Sequence, residues 1–415
     1  MAETSDAVAA PLMPWRQVLN PRVTLLLAIA LLSSTTFYMV QPFFLVYFRH
    51  TQGLSTAESG LLVSVPFLVV VLFGMVGGYV ADRMGVVRAY TVGLLVYGMS
   101  VGAIALVHGF VSLFLLMVVA GLAMSVTSGG IQTILHRSAP PAHRGLLQNY
   151  LYWIHNVGAL LGLLIASELL RAGQSNVPIL LLGAVRITMF LLFMILFWCE
   201  TPDSAGSTPV SLSPRPWSVI RGALADKPLR YTVFSMFLLI IMESQLDSTV
   251  PLYFTEHFRH GIALFGPTAA LGTALVVASQ PLALKVLAHK SSTVTFSVGA
   301  LLTGIGLTLG GTVGTIWAWV MGMILYYLGA VMWAIKLNDR VSALPREGHT
   351  ALYFGALGTA QNAAFFVGIG LGSVLYHAVG ASAVFGSMTI IGLLVGMFFR
   401  RGATELEDSL GKANA

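Results

Sequence analysis

Apolar runs of about twenty residues recur along the chain, separated by short connections that carry most of its charges and many of its glycines and prolines. A run of that length crosses the hydrocarbon of a bilayer as a helix, which satisfies every backbone polar group within the segment. The runs predict spans at about 22–48, 58–81, 88–108, 110–135, 146–170 and 177–198, then at about 229–254, 264–288, 293–312, 315–340, 350–377 and 381–399. The expectation is an all-α membrane protein of twelve transmembrane helices. Residues 1–21 form one tail, 22–199 one six-helix half, 200–228 a Ser-, Pro- and Thr-rich linker, 229–399 the second half and 400–415 the other tail. The basic end of the linker (Arg215, Arg221, Lys227, Arg230) is suited to lie along headgroups.

The distribution of charge gives this pattern a direction. Eighteen of the Lys and Arg residues fall in the tails and the even-to-odd loops, and only Arg49, Arg171 and Arg259 fall in the opposite loops. Cationic loops stay on the inner side, so both termini are predicted cytoplasmic, in the inner (plasma) membrane. With 56% hydrophobic and 9% charged residues, no soluble core could absorb the apolar surface. The net charge of +6 then belongs to the membrane's inner side rather than to nucleic acid. Cys199 alone allows neither an intramolecular disulfide nor a cysteine cluster. The first twenty residues, with Glu3, Asp6, Pro11 and Pro14, read as an uncleaved tail.

The halves look like repeats. One constant offset sets Val46-Tyr47-Phe48 on Leu252-Tyr253-Phe254, Asn156 on Asn362, Gly162 on Gly368 and Gln41 on Asp247. One residue more sets Asp82-Arg83 on His289-Lys290.

The seventh span is apolar yet carries Glu243 and Asp247. Each acid at mid-membrane costs about 2.5–3.5 kcal/mol, which marks it as functional by default. Their i, i+4 spacing predicts one helix face, where two carboxyls titrate as a coupled pair. Pro251 cannot donate to the Asp247 carbonyl, so a kink or opening is predicted there. The plainer reading is an acid pair neutralised by a fixed Arg or Lys.

After the second span comes Gly78-Tyr-Val-Ala-Asp82-Arg83-Met-Gly85-Val-Val-Arg88. It resembles the GxxxDRxGRR loop of the major facilitator superfamily, with Val86 and Val87 where basic residues are frequent. The resemblance implies two pseudo-symmetric six-helix bundles and a gate on the cytoplasmic side. Gly78 would permit close helix approach, and Asp82, Arg83, Gly85 and Arg88 would form the latch. A plain turn with snorkelling charges is the alternative. Asn156-Val-Gly158-Ala-Leu-Leu-Gly162 resembles the Gly-rich fifth-span motif of the family's drug:proton antiporter branch, without its proline. It implies close packing at Gly158 and Gly162. The fourth-span RxxQG of many members is Met117-Val-Val-Ala120-Gly121 here, so that arginine's proton relay does not carry over.

Other polar residues fall near mid-span. Tyr38 and Gln41, with Pro42 beside them, match Asp247 in depth; His155, Asn156, Gln361 and Asn362 occupy equivalent places in the two halves. Each lines a cavity or bonds between helices. Arg186 would pair with Glu243, Asp247 or Glu168, or bind a substrate carboxylate. Lys336 and Trp333 would line the inner vestibule or, for Lys336, snorkel. Glu256, His257 and His260 lack a matched partner for a metal, and no metalloprotease or P-loop motif is present.

These features predict a secondary transporter working by alternating access, neither an enzyme nor cofactor-dependent, and monomeric. The leading expectation is proton-coupled export of a small cationic or zwitterionic amphiphile, with Glu243 and Asp247 as the coupling groups. Alternatives are a symporter or uniporter for an organic anion or metal-carrying metabolite, and, from another class, a polytopic membrane enzyme or receptor.

Overall fold

The computed structural model describes residues 20–127, 130–138, 144–197, 226–287, 290–343 and 350–414. The linker and tail expectations at 1–19 and 198–225, with His289, lie outside them. Twelve helices are long and apolar enough to span a membrane: α1 Pro21–Thr51, α2 Thr56–Ala81, α3 Val86–Ile104, α4 Phe110–Leu135, α5 Tyr150–Arg171, α6 Val177–Leu196, α7 Lys227–His257, α8 Gly261–Gln280, α9 Ser292–Val313, α10 Ile316–Leu337, α11 Leu357–Val379 and α12 Ala381–Glu405. The described ends of the chain, at α1 and α12, therefore lie on one face, the terminal face.

Local chemistry fixes where helices start. Asn20 accepts from the Val23 N–H at 2.8 Å, and Asp226 from the Leu229 N–H at 3.3 Å, each with a proline in the first turn. The two halves thus begin alike, with a side-chain cap and a residue that needs no donor partner. At Gly85 the φ of 88° turns the chain from α2 into α3.

Both α1 and α7 break. In α1 the stretch Gln41–Phe43, around Pro42, is a 3-10 turn, and Tyr47–Thr51 is wound as a π-helix. In α7 Ser244–Asp247 is 3-10, and Ser248 leaves the helical region (φ −146°, ψ −83°) one turn before Pro251. The predicted opening is there. The freed backbone is re-satisfied locally: the Ser248 N–H donates to the Gln245 carbonyl at 3.2 Å, and the Ser248 side-chain Oγ donates to the Ser244 carbonyl at 2.8 Å.

In the first half α1 packs on α5, α2 on α4 and α3 on α6; in the second α9 packs on α10 and α12, and α7 on α11 and α12. The halves meet where α2 crosses α11 and where α5 crosses α8, equivalent pairs under the repeat. Small residues make both crossings: Gly60 lies on Ser373 and Gly266 on Ser167. Phe67 stacks on Phe365 at 4.9 Å, and Phe43 meets Phe265 edge-on at 5.5 Å. The glycine–serine contacts and the Phe43–Phe265 pair lie in the halves of the spans remote from the terminal face, and Phe67–Phe365 lies near mid-span.

Burial follows the same division. Residues 39–48, 62–67 and 248–254 are buried without interruption, so these helices are packed all round. Toward the terminal face α2 instead exposes Leu72, Phe73, Met75, Val76 and Tyr79, and α5 exposes Tyr152 and Trp153. The bundle is sealed at the far face and parted at the terminal face.

Candidate functional site

Glu243 ends the first helical segment of α7 and Asp247 ends the 3-10 turn; both are half-buried. A 3-10 turn advances about 120° per residue rather than 100°, so Asp247 is rotated ahead of its place in a continuous helix. The two charges still act on each other. Among the described residues neither carboxylate has a hydrogen-bond or ion-pair partner.

What surrounds the acids is tyrosine. Tyr38 of α1 and Tyr326 and Tyr327 of α10 share the electrostatic neighbourhood of both acids, and Tyr152 of α5 that of Glu243. Tyr326 and Tyr327 meet edge to face at 5.0 Å. The Tyr327 ring rests where a side chain at Gly272 would be, and Thr273 Oγ1 donates to the Tyr327 hydroxyl at 3.4 Å. The residues come from both halves, with α1 and α5 facing α7 and α10. Gln41 is buried, its amide nitrogen has no partner among the described residues, and its 3-10 turn touches Ser244–Asp247 across the halves.

Other sequence-predicted residues take different places. Arg186 bonds none of the acids considered for it. It donates to the Ser33 hydroxyl, and to the Ser33 carbonyl at 3.3 Å, and lies 5.5 Å over the Tyr97 ring. Glu168 instead faces Arg171 at 3.9 Å. The reason is topological: α6 packs on α3 and α1, so its inward side chain meets those helices and not α7. Lys336 is 3% exposed, which corrects the snorkelling alternative; Trp333 is half-buried. Asn156 and Asn362 behave alike, each donating to the carbonyl one turn back, of Tyr152 at 2.9 Å and Gly358 at 2.8 Å. His155 is half-buried and Gln361 exposed.

Gly158 lies on Leu31, Ser34 and Thr35, and Gly162 on Thr35, Tyr38 and Met39, where α5 crosses α1. At the α2–α3 turn the close approach is made by Gly77, against the Ser125 carbonyl, while Gly78 faces open space. One residue turns a helix by about 100°, enough to move the contact to the neighbour. Arg83 is exposed and donates to the Tyr79 hydroxyl at 3.2 Å; Arg88 is half-buried. The Asp82 side chain lies outside the described parts. At the far face Glu256 accepts from the Tyr376 hydroxyl at 3.0 Å, and His257 stacks on the Tyr253 ring at 4.0 Å.

Tyr152, Tyr326 and Tyr327 were not singled out from sequence. Their signal was available only in hindsight: aromatic residues at the depth of the acids, in spans carrying many other aromatics.

Twelve spans in two equivalent halves, meeting around a polar group at mid-membrane, define the architecture of a membrane transporter. The chain belongs to the Major Facilitator Superfamily, whose pattern it matches over residues 26–369. An uncharacterized MFS-type transporter, YqjV of Bacillus subtilis, is 22% identical over 363 residues, covering 85% of this chain and 87% of that one. The quinolone resistance protein NorA of Staphylococcus aureus is 26% identical over 158 residues, 38% of this chain and 40% of NorA. A hexuronate transporter of Bacillus subtilis is 25% identical over 191 residues, 44% of each chain. Among solved structures, a POT family transporter in complex with a thioalcohol-conjugated peptide superposes with a TM-score of 0.76 at 16% identity, covering 92% of this chain and 96% of that one. The nucleoside transporter NupG gives 0.73 at 14% identity, covering 92% and 99%.

Proposed function

We propose that this transporter exports a small cationic or zwitterionic amphiphile in exchange for protons, by alternating access about the Glu243/Asp247 site. One observation carries the reading: two carboxylates with no bonded cation among the described residues, in the electrostatic neighbourhood of tyrosines from both halves. Carboxylates neutralise a cation, and tyrosine rings add about 0.5–2 kcal/mol each through their faces while accepting apolar surface. Proton and cargo cannot both neutralise the same pair, so proton entry from outside releases cargo there. The charge count makes the terminal face cytoplasmic, which makes the parted conformation inward-facing. In the opposite state the Gly78–Arg88 turn closes the inner side, with Asp82, Arg83, Gly85 and Arg88 as its latch. Likeness to NorA over part of the chain fits export, and the plasma membrane is the place for it.

A second reading, transport of an organic anion, is favoured by one feature. Arg186 is buried with no acid partner among the described residues, and one relative is named a hexuronate transporter.

Proteoliposomes with an imposed pH gradient of either sign decide between them. Tetraphenylphosphonium and other amphiphilic cations are expected to move against the proton gradient, with no movement of hexuronates. Gradient-driven movement of the anions alone would overturn the export reading. Single cysteines placed at 200–228 are expected to react with impermeant reagents only from the cytoplasmic side; labelling from outside intact cells would reverse the direction.

A further inference from the structure

The acids of α7 lie beside a second feature that transport of a cation does not by itself require. Ser244, Gln245, Ser248 and Thr249, on either side of Leu246 and Asp247, are polar side chains buried in the bundle, each 1% exposed or less. Gln245 is their centre. Its Nε2 donates to the Ile241 carbonyl at 2.9 Å and, across to α11, to the Gly368 carbonyl at 3.0 Å; its Oε1 accepts from Thr249 Oγ1 at 2.8 Å. The side chain therefore ties three things together: the helix before the break, the helix after it, and α11. Gly368 and Gly372 make the crossing possible, because a Cβ at either would strike Ser244 or the Gln245 amide.

The other side of the same stretch of α11 faces the other half of the protein. Gly370 lies against Ser64, and Ile369 and Ser373 against Gly60, all on α2. One helical turn of α11 thus touches the acid-bearing turn on one side and the far-face seal on the other. A cleft lined by Ile241, Gln245, Gly368, Leu371 and Gly372 lies beside this crossing, so α11 has room to shift when the Gln245 side chain draws on it.

We propose that Gln245 is the positioning residue that relays the charge state of Glu243 and Asp247 through α11 to the α2–α11 seal. The relay rests on the acids being the proton site. The titratable groups facing them are Tyr38 from α1, Tyr152 from α5 and Tyr326 and Tyr327 from α10; α1 also contributes the neutral Gln41. On α11 Gln245 meets Gly368 and Gly372, and that span has no acidic or basic residue except His377 near its far end. When the acids lose or gain charge, the 3-10 turn re-winds, Gln245 draws on the Gly368 carbonyl, and α11 shifts against α2.

The test uses full-length protein in nanodiscs with spin labels at the far ends of α2 and α11, and reads their distance distribution between pH 5 and 9. Wild type is expected to shift its closed-to-open ratio with pH, and Asp247→Asn to abolish the shift. Gln245→Met keeps the volume and removes the hydrogen bonds. It is expected to cut the pH-driven change in that ratio about fivefold, the worth of one neutral hydrogen bond. Proton-site titration, read by infrared carboxyl bands, is expected to remain. Should Gln245→Met not fold, Thr249→Val removes only the bond to Oε1 and is expected to reduce the shift. A wild-type seal indifferent to pH overturns the proton reading and the relay with it. A wild-type response that survives intact in the Gln245 or Thr249 variant overturns the relay alone.

Discussion

The breaks in α1 and α7 occupy equivalent places in the two halves and touch each other, yet they are built from different chemistry. The α1 break is apolar and neutral: Pro42, Phe43 and Phe44 are buried around the single amide of Gln41. The α7 break holds two carboxyls and a hydrogen-bonded set of Ser, Gln and Thr. A duplicated hinge has thus kept its shape in both halves and its titratable charge in one. On the proposed reading, the difference gives bending to both halves and proton chemistry to the second alone.

The sharpest test of that division is Asp247→Asn, which makes the α7 break as neutral as its twin. pH-driven transport in proteoliposomes is expected to fall to background while downhill counterflow survives. Glu243→Gln is expected to act likewise or more mildly. The double variant should be little worse than the stronger single, since groups acting as a unit are not additive. Full pH-driven transport by Asp247→Asn would remove the acid from the coupling mechanism.

The next comparison is between the two faces. The far face is closed by packed glycines and serines, while on the proposed reading a charged turn closes the terminal face in the opposite state. Asp82→Asn is expected to remove one charge-assisted contact, about 1.5–3 kcal/mol, and so to raise the ratio of parted to closed molecules more than tenfold. Distances between labelled halves read this directly, and an unchanged distribution would leave no latch at Asp82.

Tyr327→Leu has a smaller expected effect. Losing one ring face, at about 1 kcal/mol, should raise KM for tetraphenylphosphonium about fivefold with kcat little changed. Tyr327→Phe should retain most of the affinity. Equal losses in the two variants would mean that the hydroxyl, not the ring, is what matters.

Smallest of all is an expected absence of rescue. Were the acids a counter-charge for Arg186, Arg186→Gln would restore expression and transport to Asp247→Asn, because a buried charge left unpaired is what destabilises. Arg186 bonds Ser33 instead, so the combination should transport no better than Asp247→Asn alone. Rescue would place the guanidinium back with the acids.

These outcomes bear unequally on what the amino-acid sequence made legible. The twelve spans, both proline-linked breaks and the odd pair of acids were readable, because length, hydropathy and proline act locally. The partner of Arg186 was not, since it depends on which helices adjoin α6, and no periodicity records that. Gly77 and Gly78 differ by a single residue of rotation, beyond what a motif spacing resolves. The tyrosines of α5 and α10 were hidden for a third reason: an aromatic ring suits a cavity wall, a helix contact and a lipid belt equally well. Only the assembled bundle separates the three.

The bond from Gln245 to the Gly368 carbonyl also has a consequence in time. It joins residues 123 positions apart, and synthesis at about 5–20 residues per second separates them by roughly 6–25 s. Through that interval α7 is already made, its broken turn carrying two acids, while the helix that completes its hydrogen bonding is still unmade. An unfinished polar segment is poorly suited to hydrocarbon. The polar turn of α7 is therefore expected to reach its final hydrogen bonding only after α11 has been made, so the last spans, not the first, complete the second half.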